Sequence, residues 1–191
     1  MKKLFIKFLV TLVGFLSLSA GASVIVNCQE AVKAFLAHPA KHTFTVLVSE
    51  DQARCWSFIE ASNSNLALLA RSVERGNRWA AEYLARNLRN LDGGNLEDSL
   101  TALGKFSDQR MERFLTFANK GQLSQHEFTD ALTMLPLSLG DDQQAQLSAL
   151  KFRRDMLIHV NRADLFEQKA SALKAIDGSI SQVRATISAS Q

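Results

Sequence analysis

From Asn63 to Ile187 the apolar residues return every three or four positions, and proline interrupts the run only at Pro136. That period sets them along one stripe of an α-helix and leaves no alternation from which to build a sheet. Caps and stops then divide the run. Asn63 or Ser64 opens a helix with Leu66, Leu69, Ala70 and Val73 inward, and Gly76 ends it. Asn77 caps the next, whose apolar face is Trp79, Ala80, Tyr83, Leu84, Leu88 and Leu91. Leu96, Leu100 and Leu103 form a short helix that Gly104 closes, and Ser107 is expected to cap the following one, Asp108 to Lys120. Ser124 and Glu127 have the spacing of a capping box. The fold class expected is all-α, either an irregular helical bundle or a short array of helical hairpins.

Upstream the pattern is less regular. Asn27 to Ala37 reads as a helix ended by His38-Pro39, and Ser49 with Gln52 reads as a capping box for a helix carrying Cys55, Trp56 and Ile59. Between them, His42 to Val48 is the one stretch with strand character, since Phe44, Val46 and Val48 alternate with Thr43, Thr45 and Leu47. No second strand is in view to pair with it, so a buried extended segment, a short helix and a sheet strand all remain open.

Met1 to Ala22 has the three parts of a secretory signal. Lys2 and Lys3 precede an apolar run from Leu4 to Leu18, and Ala20-Gly21-Ala22 supplies a small-x-small cleavage site before Ser23. The expected organisation is a signal peptide over 1–22 and an all-helical domain over 23–191, exported, with the periplasm as the expected compartment. Charge follows from this division. Of 22 basic residues Lys2, Lys3 and Lys7 fall in the leader, and the 19 that remain equal the 19 acidic ones. A neutral mature chain exerts no general pull on phosphates, so nucleic acid is not an expected partner. No later apolar run approaches the roughly 18 residues that span a bilayer.

Cys28 and Cys55 are the only cysteines. In an oxidising compartment such a pair is expected as a disulfide, and closing its loop stabilises by about 3.5 kcal/mol in the chain-entropy model. His38 and His42 lie between them, but Pro39 denies the two histidines the continuous helix that would put them on one face as metal ligands. No cofactor and no metal site are expected.

Residues 64–91 and 96–120 each read as helix, turn, helix. The stretch from Gly76-Asn77-Arg78-Trp79-Ala80-Ala81-Glu82 to Leu103-Gly104 resembles the helical hairpins of HEAT-type repeat proteins. The resemblance implies stacked helix pairs that present a surface to a protein partner.

Catalytic motifs do not emerge. Gly121 to Phe128 resembles the second half of an EF-hand, yet the loop positions that need oxygen ligands hold Thr116, Ala118 and Lys120. Asp92, Glu97 and Asp98, and likewise Asp141-Asp142, sit where turns and helix starts favour acids. His38, His42, His126 and His159 are scattered, and a hydrolytic site would need a pocket holding His126 or His159 beside a carboxylate.

The best surface candidate is a block of arginines with an aromatic among them: Arg71, Arg75, Arg78, Trp79, Arg86 and Arg89, followed by Asp92. Arginine and tryptophan are favoured in protein interfaces. A second basic block is Lys151, Arg153 and Arg154. Near the C-terminus Phe166, Leu173, Ile176, Ile180, Val183 and Ile187 form a heptad seam, able to zip onto a partner or to pack back on Leu147, Leu150 and Leu157. The function expected is binding of another protein of the cell envelope, as an inhibitor, immunity partner, scaffold or chaperone. The alternative is a hydrolase acting on an envelope polymer.

Overall fold

The computed structural model describes residues 27–49 and 52–190. The expected signal segment and its expected cleavage position therefore lie outside the described residues. Within them the chain forms nine α-helices, three short 3₁₀ turns and no strand. The helices are α1 (Cys28–Ala37), α2 (Lys41–Ser49), α3 (Gln52–Glu60), α4 (Asn63–Glu74), α5 (Arg78–Asn87), α6 (Gly93–Asn119), α7 (Gln125–Thr133), α8 (Gln143–Ile158) and α9 (Phe166–Ala189). No helix among the described residues is long and apolar enough to cross a membrane.

The stretch with strand character is α2. Phe44 and Leu47 are buried three residues apart, while Val46 is exposed, which is helical and not alternating burial. Thr43 secures the start: its Oγ1 accepts from the Ala40 amide at 3.1 Å and donates to the His38 carbonyl at 3.0 Å. Ser49 is the last residue of α2, and its hydroxyl donates to the Val46 carbonyl; the expected capping box with Gln52 lies outside the described residues. Cys28 and Cys55 are bonded, with Cα atoms 4.9 Å apart, and tie α1 to α3.

α4 and α5 form the expected hairpin. The left-handed Gly76 (φ 78°) ends α4, with its amide on Val73 and the Asn77 amide on Ser72. Asn77 then caps α5, its Oδ1 accepting from the Trp79 and Ala80 amides at 3.0 Å each. Its Nδ2 reaches across to the Pro39 carbonyl at 2.9 Å, which fixes α5 against the α1–α2 corner.

The second expected helix pair forms with its break displaced. Residues 93–119, given above as α6, are helical on either side of Arg110, whose φ of −141° and ψ of 48° interrupt the helix. Phe106 before the break stacks on Phe117 after it, ring centres 5.7 Å apart. Gly104 does not stop it, and Ser107 does not cap a new helix, since its hydroxyl donates to the Gly104 carbonyl at 2.7 Å within the same helix. Glycine is required at 104 by close approach: an added Cβ would stand 2.7 Å from the Ala131 carbonyl oxygen of α7. The architecture is an irregular helical bundle in which α4 and α5 form a hairpin of the kind the repeat resemblance implied, and the two arms of α6 meet at a break that falls at Arg110 and not at Gly104 to Ser107.

The capping box at Ser124 is complete. The Ser124 hydroxyl accepts from the Glu127 amide at 3.2 Å, and Glu127 Oε2 accepts from the Ser124 amide at 2.6 Å. α8 and α9 make the most extensive helix pairing among the described residues. The seam packs inward through Ile176 and Ile180, with Leu173, Val183 and Ile187 partly buried. Phe166 is the exception, 72 % exposed, and Leu165 takes the buried position in its place. The core continues through stacked pairs, Phe106 on Phe117 and Phe114 on Phe128. Burial of each such side chain contributes about 1.5–3 kcal/mol.

Candidate functional site

The arginine-rich block divides among three places. Arg71 lines a groove of about 540 Å³ between α4 and α6, with Ala67, Asp98, Thr101 and Lys105, and no α5 residue borders it. Arg75 is the C-cap of α4 and Arg78 the first residue of α5, so the two flank the Gly76 turn. Arg89 follows α5 in a 3₁₀ turn and borders a groove of about 420 Å³ with Arg86, Gln122 and Glu127. Asp92 is the exposed N-cap of α6, and its side chain makes no capping hydrogen bond.

Along α5 the aromatic and cationic side chains are stacked. Trp79 lies 5.2 Å from Phe44 of α2, ring centre to ring centre, and is partly buried there. The Arg78 guanidinium covers Trp79 at 4.1 Å, and the Arg86 guanidinium lies 5.5 Å from the Phe44 ring. Rings with a negative face attract such cations by about 0.5–1 kcal/mol at exposed sites. Arg86 is also held by Glu82, Nη2 to Oε1 at 2.9 Å, and Gln122 Nε2 donates to the same carboxylate oxygen at 3.2 Å. Arg86 is thus a neutralised structural element, whereas Arg78 is exposed and stands over its aromatic support. A guanidinium fixed in this way loses less side-chain freedom on binding a carboxylate than a free one does.

In the second basic block Lys151 is exposed, while Arg153 and Arg154 are tied to carboxylates. Arg153 is 1 % exposed and donates through Nε and Nη2 to both oxygens of Asp108, at 2.7 and 3.2 Å. Its Nη1 donates to the carbonyls of Leu132 and Met134 at the end of α7, at 2.7 and 2.8 Å. Arg154 is held by Asp177 of α9 at 2.6 Å, a pairing that raises its already high pKa.

Two arginines outside the block stand near it instead. Arg110 and Arg113 of α6 line a groove of about 410 Å³ at the kink, with Glu112, Met111, Met156 and His159. Arg110 Nε lies 3.9 Å from where a Cβ on Gly76 would be, and Gln109 Nε2 donates to the Glu74 carbonyl at 2.6 Å. The α6 kink therefore abuts the Arg75–Arg78 turn. Nothing local in the sequence connects residues 34 positions apart, and the block reading misses them for that reason.

The histidines fall differently. His126 Nδ1 is 2.9 Å from Asp130 Oδ2, but its side chain is 85 % exposed on α7. His159 borders the kink groove, and its Nδ1 donates to the Asp155 carbonyl at 2.7 Å, which leaves Nε2 with its lone pair in the neutral ring.

No protein-family model, curated protein or solved structure matches the chain.

Proposed function

We propose that this is an exported helical protein that binds another protein of the cell envelope, as an inhibitor, immunity partner, scaffold or chaperone, in the periplasm. One observation carries the reading. Arg78 stands 4.1 Å over a partly buried Trp79 at an exposed turn, beside Arg75, the kind of arginine–aromatic pair on which binding energy concentrates. The Cys28–Cys55 bond supports an oxidising compartment. The experiment is photocrosslinking in the native envelope, with a benzophenone residue at position 75 and, as control, at the exposed Ala170 of α9. A discrete adduct from position 75 and none from 170 is the expected result. Equal labelling from both positions, or none from either, sinks the reading.

A hydrolase acting on an envelope polymer is the second reading, favoured by one observation: His159 offers a free Nε2 to a groove that Glu112 also borders. Its test is a polymer-cleavage screen in which His159→Gln abolishes turnover while leaving the fold intact.

A further inference from the structure

We infer that the partner is met through an acidic segment, and that its recognition extends from the Arg75–Arg78 turn into the groove at the α6 kink, an inference that rests on the protein-binding reading above. Pairing and clustering of the arginines together point to this corner; Arg71, Arg89 and Arg184 also form no ion pair among the described residues, but they stand elsewhere. Arg86, Arg153, Arg154 and Arg162 each bind a carboxylate, and Lys105 is held by Glu74. Arg75, Arg78, Arg110 and Arg113 have no carboxylate partner among the described residues, and they stand around the Gly76 turn and the adjoining kink. Arg75 and Arg78 flank the turn that Arg110 adjoins, and Arg110 and Arg113 line the groove beyond it, so a row of carboxylates crossing this corner meets cations along its path.

The opposing charges nearby are mostly occupied. The Glu74 carboxylate holds Lys105, and Asp164 takes both Nε and Nη2 of Arg162. That pairing holds the Asp164 carboxyl below the usual carboxylate range. Glu112 is the remaining carboxylate in the groove wall. Cationic side chains therefore outnumber free acids at this corner, although the chain beyond the leader is neutral as a whole. A local patch on a neutral protein suits an acidic protein segment better than a nucleic acid or an anionic membrane, which profit from charge spread over a broad face.

The floor of the groove sharpens the partner's chemistry. Met111, Met156 and Val160 line it between the arginines, and methionine adapts its shape to varied side chains. A groove of about 410 Å³ with an apolar floor and cationic rims takes a peptide in which acidic residues flank an apolar anchor.

The test uses the purified exported protein and a short fluorescein-labelled peptide with glutamates on both sides of a central leucine, followed by fluorescence anisotropy. The comparison ligands are the same peptide with Gln for every Glu, and vesicles of phosphatidylglycerol. The Glu peptide is expected to bind at least about tenfold tighter than the Gln peptide, and less tightly as salt rises. Arg110→Glu with Arg113→Glu is expected to weaken it by about tenfold or more, while Lys174→Glu on exposed α9 leaves it unchanged. If the double variant loses its helical circular dichroism, Arg110→Gln with Arg113→Gln gives the same readout. Equal binding of the two peptides, equal binding by the variant, or binding of vesicles without binding of peptide overturns the inference. A persisting adduct from position 75 then shows that the protein-binding reading stands without it, whereas loss of that adduct as well removes both.

Discussion

The guanidinium of Arg153 occupies the space that a side chain on Gly104 would need. A Cβ at Gly104 would meet Arg153 Nη2 at 3.0 Å and Nη1 at 3.1 Å, besides the Ala131 carbonyl at 2.7 Å. The glycine lets α6, α7 and α8 close around one buried cation. That cation satisfies two carbonyls at the end of α7 and the carboxylate of Asp108 on α6. Helix ends leave such carbonyls without partners inside the helix, and a buried donor from a neighbour replaces solvent there.

Gly104→Ala is therefore expected to destabilise by about 1–3 kcal/mol, although alanine is the better helix former by roughly 1 kcal/mol. Gly178→Ala in α9 provides the opposite case, because nothing lies within 4 Å of the added Cβ. It is expected to stabilise by about 0.5–1 kcal/mol. Urea denaturation of the two variants should show shifts of opposite sign, and a stabilised Gly104→Ala contradicts the close approach.

Arg153→Met removes every donor of the cluster at once and leaves Asp108, Leu132 and Met134 facing an apolar side chain. A loss of about 3–5 kcal/mol is expected, as for a buried pair broken on one side. Arg154→Met, whose ion pair with Asp177 is open to solvent, is expected to change stability by less than about 1 kcal/mol. Thermal unfolding of both variants separates two neighbouring residues that composition alone cannot distinguish.

That contrast shows what was legible in the chain. Helix boundaries, the Asn77 cap, the Gly76 stop and the Ser124–Glu127 box were readable because each depends on residues three or four apart. His42 to Val48 stayed open between helix and strand because its alternation is one of residue type, while burial there follows Phe44 and Leu47. Gly104 looks like a helix stop and is instead a contact surface for α7, a fact that only tertiary packing determines. The candidate site was half legible for the same reason. Arg75, Arg78 and Trp79 are adjacent in sequence, but Arg110 reaches the Gly76 turn only because α6 folds back and bends there.

The reassigned seam makes its own prediction. Phe166→Ser is expected to alter stability by less than about 0.5 kcal/mol, since the ring is largely in solvent. Ile176→Ala, fully buried between α9 and its neighbours, is expected to cost about 2–5 kcal/mol. Chemical denaturation checks both, and a large loss at Phe166 would return that residue to the seam.

Tyr83 offers a readout of the whole α1–α3–α5 core, because it is the only tyrosine in the chain. It is fully buried, with its ring 5.2 Å from Phe35 and 5.8 Å from Trp56, and its hydroxyl has no hydrogen-bond partner among the described residues. Burial pushes its phenol well above the ordinary value of 10.0, because the phenolate loses its water. The sign follows directly. Below about pH 10 both folded and unfolded chains keep the proton, so this group takes nothing from stability. Above it the unfolded chain ionises while the folded one does not, and stability falls as pH rises. Tyrosinate absorbance near 295 nm should therefore appear together with loss of helical circular dichroism, in one transition. A phenol that titrates near pH 10 while the helices persist would show that Tyr83 is not buried. Tyr83→Phe should remove this contribution to the alkaline loss, and at neutral pH its stability should lie within about 1 kcal/mol of the parent.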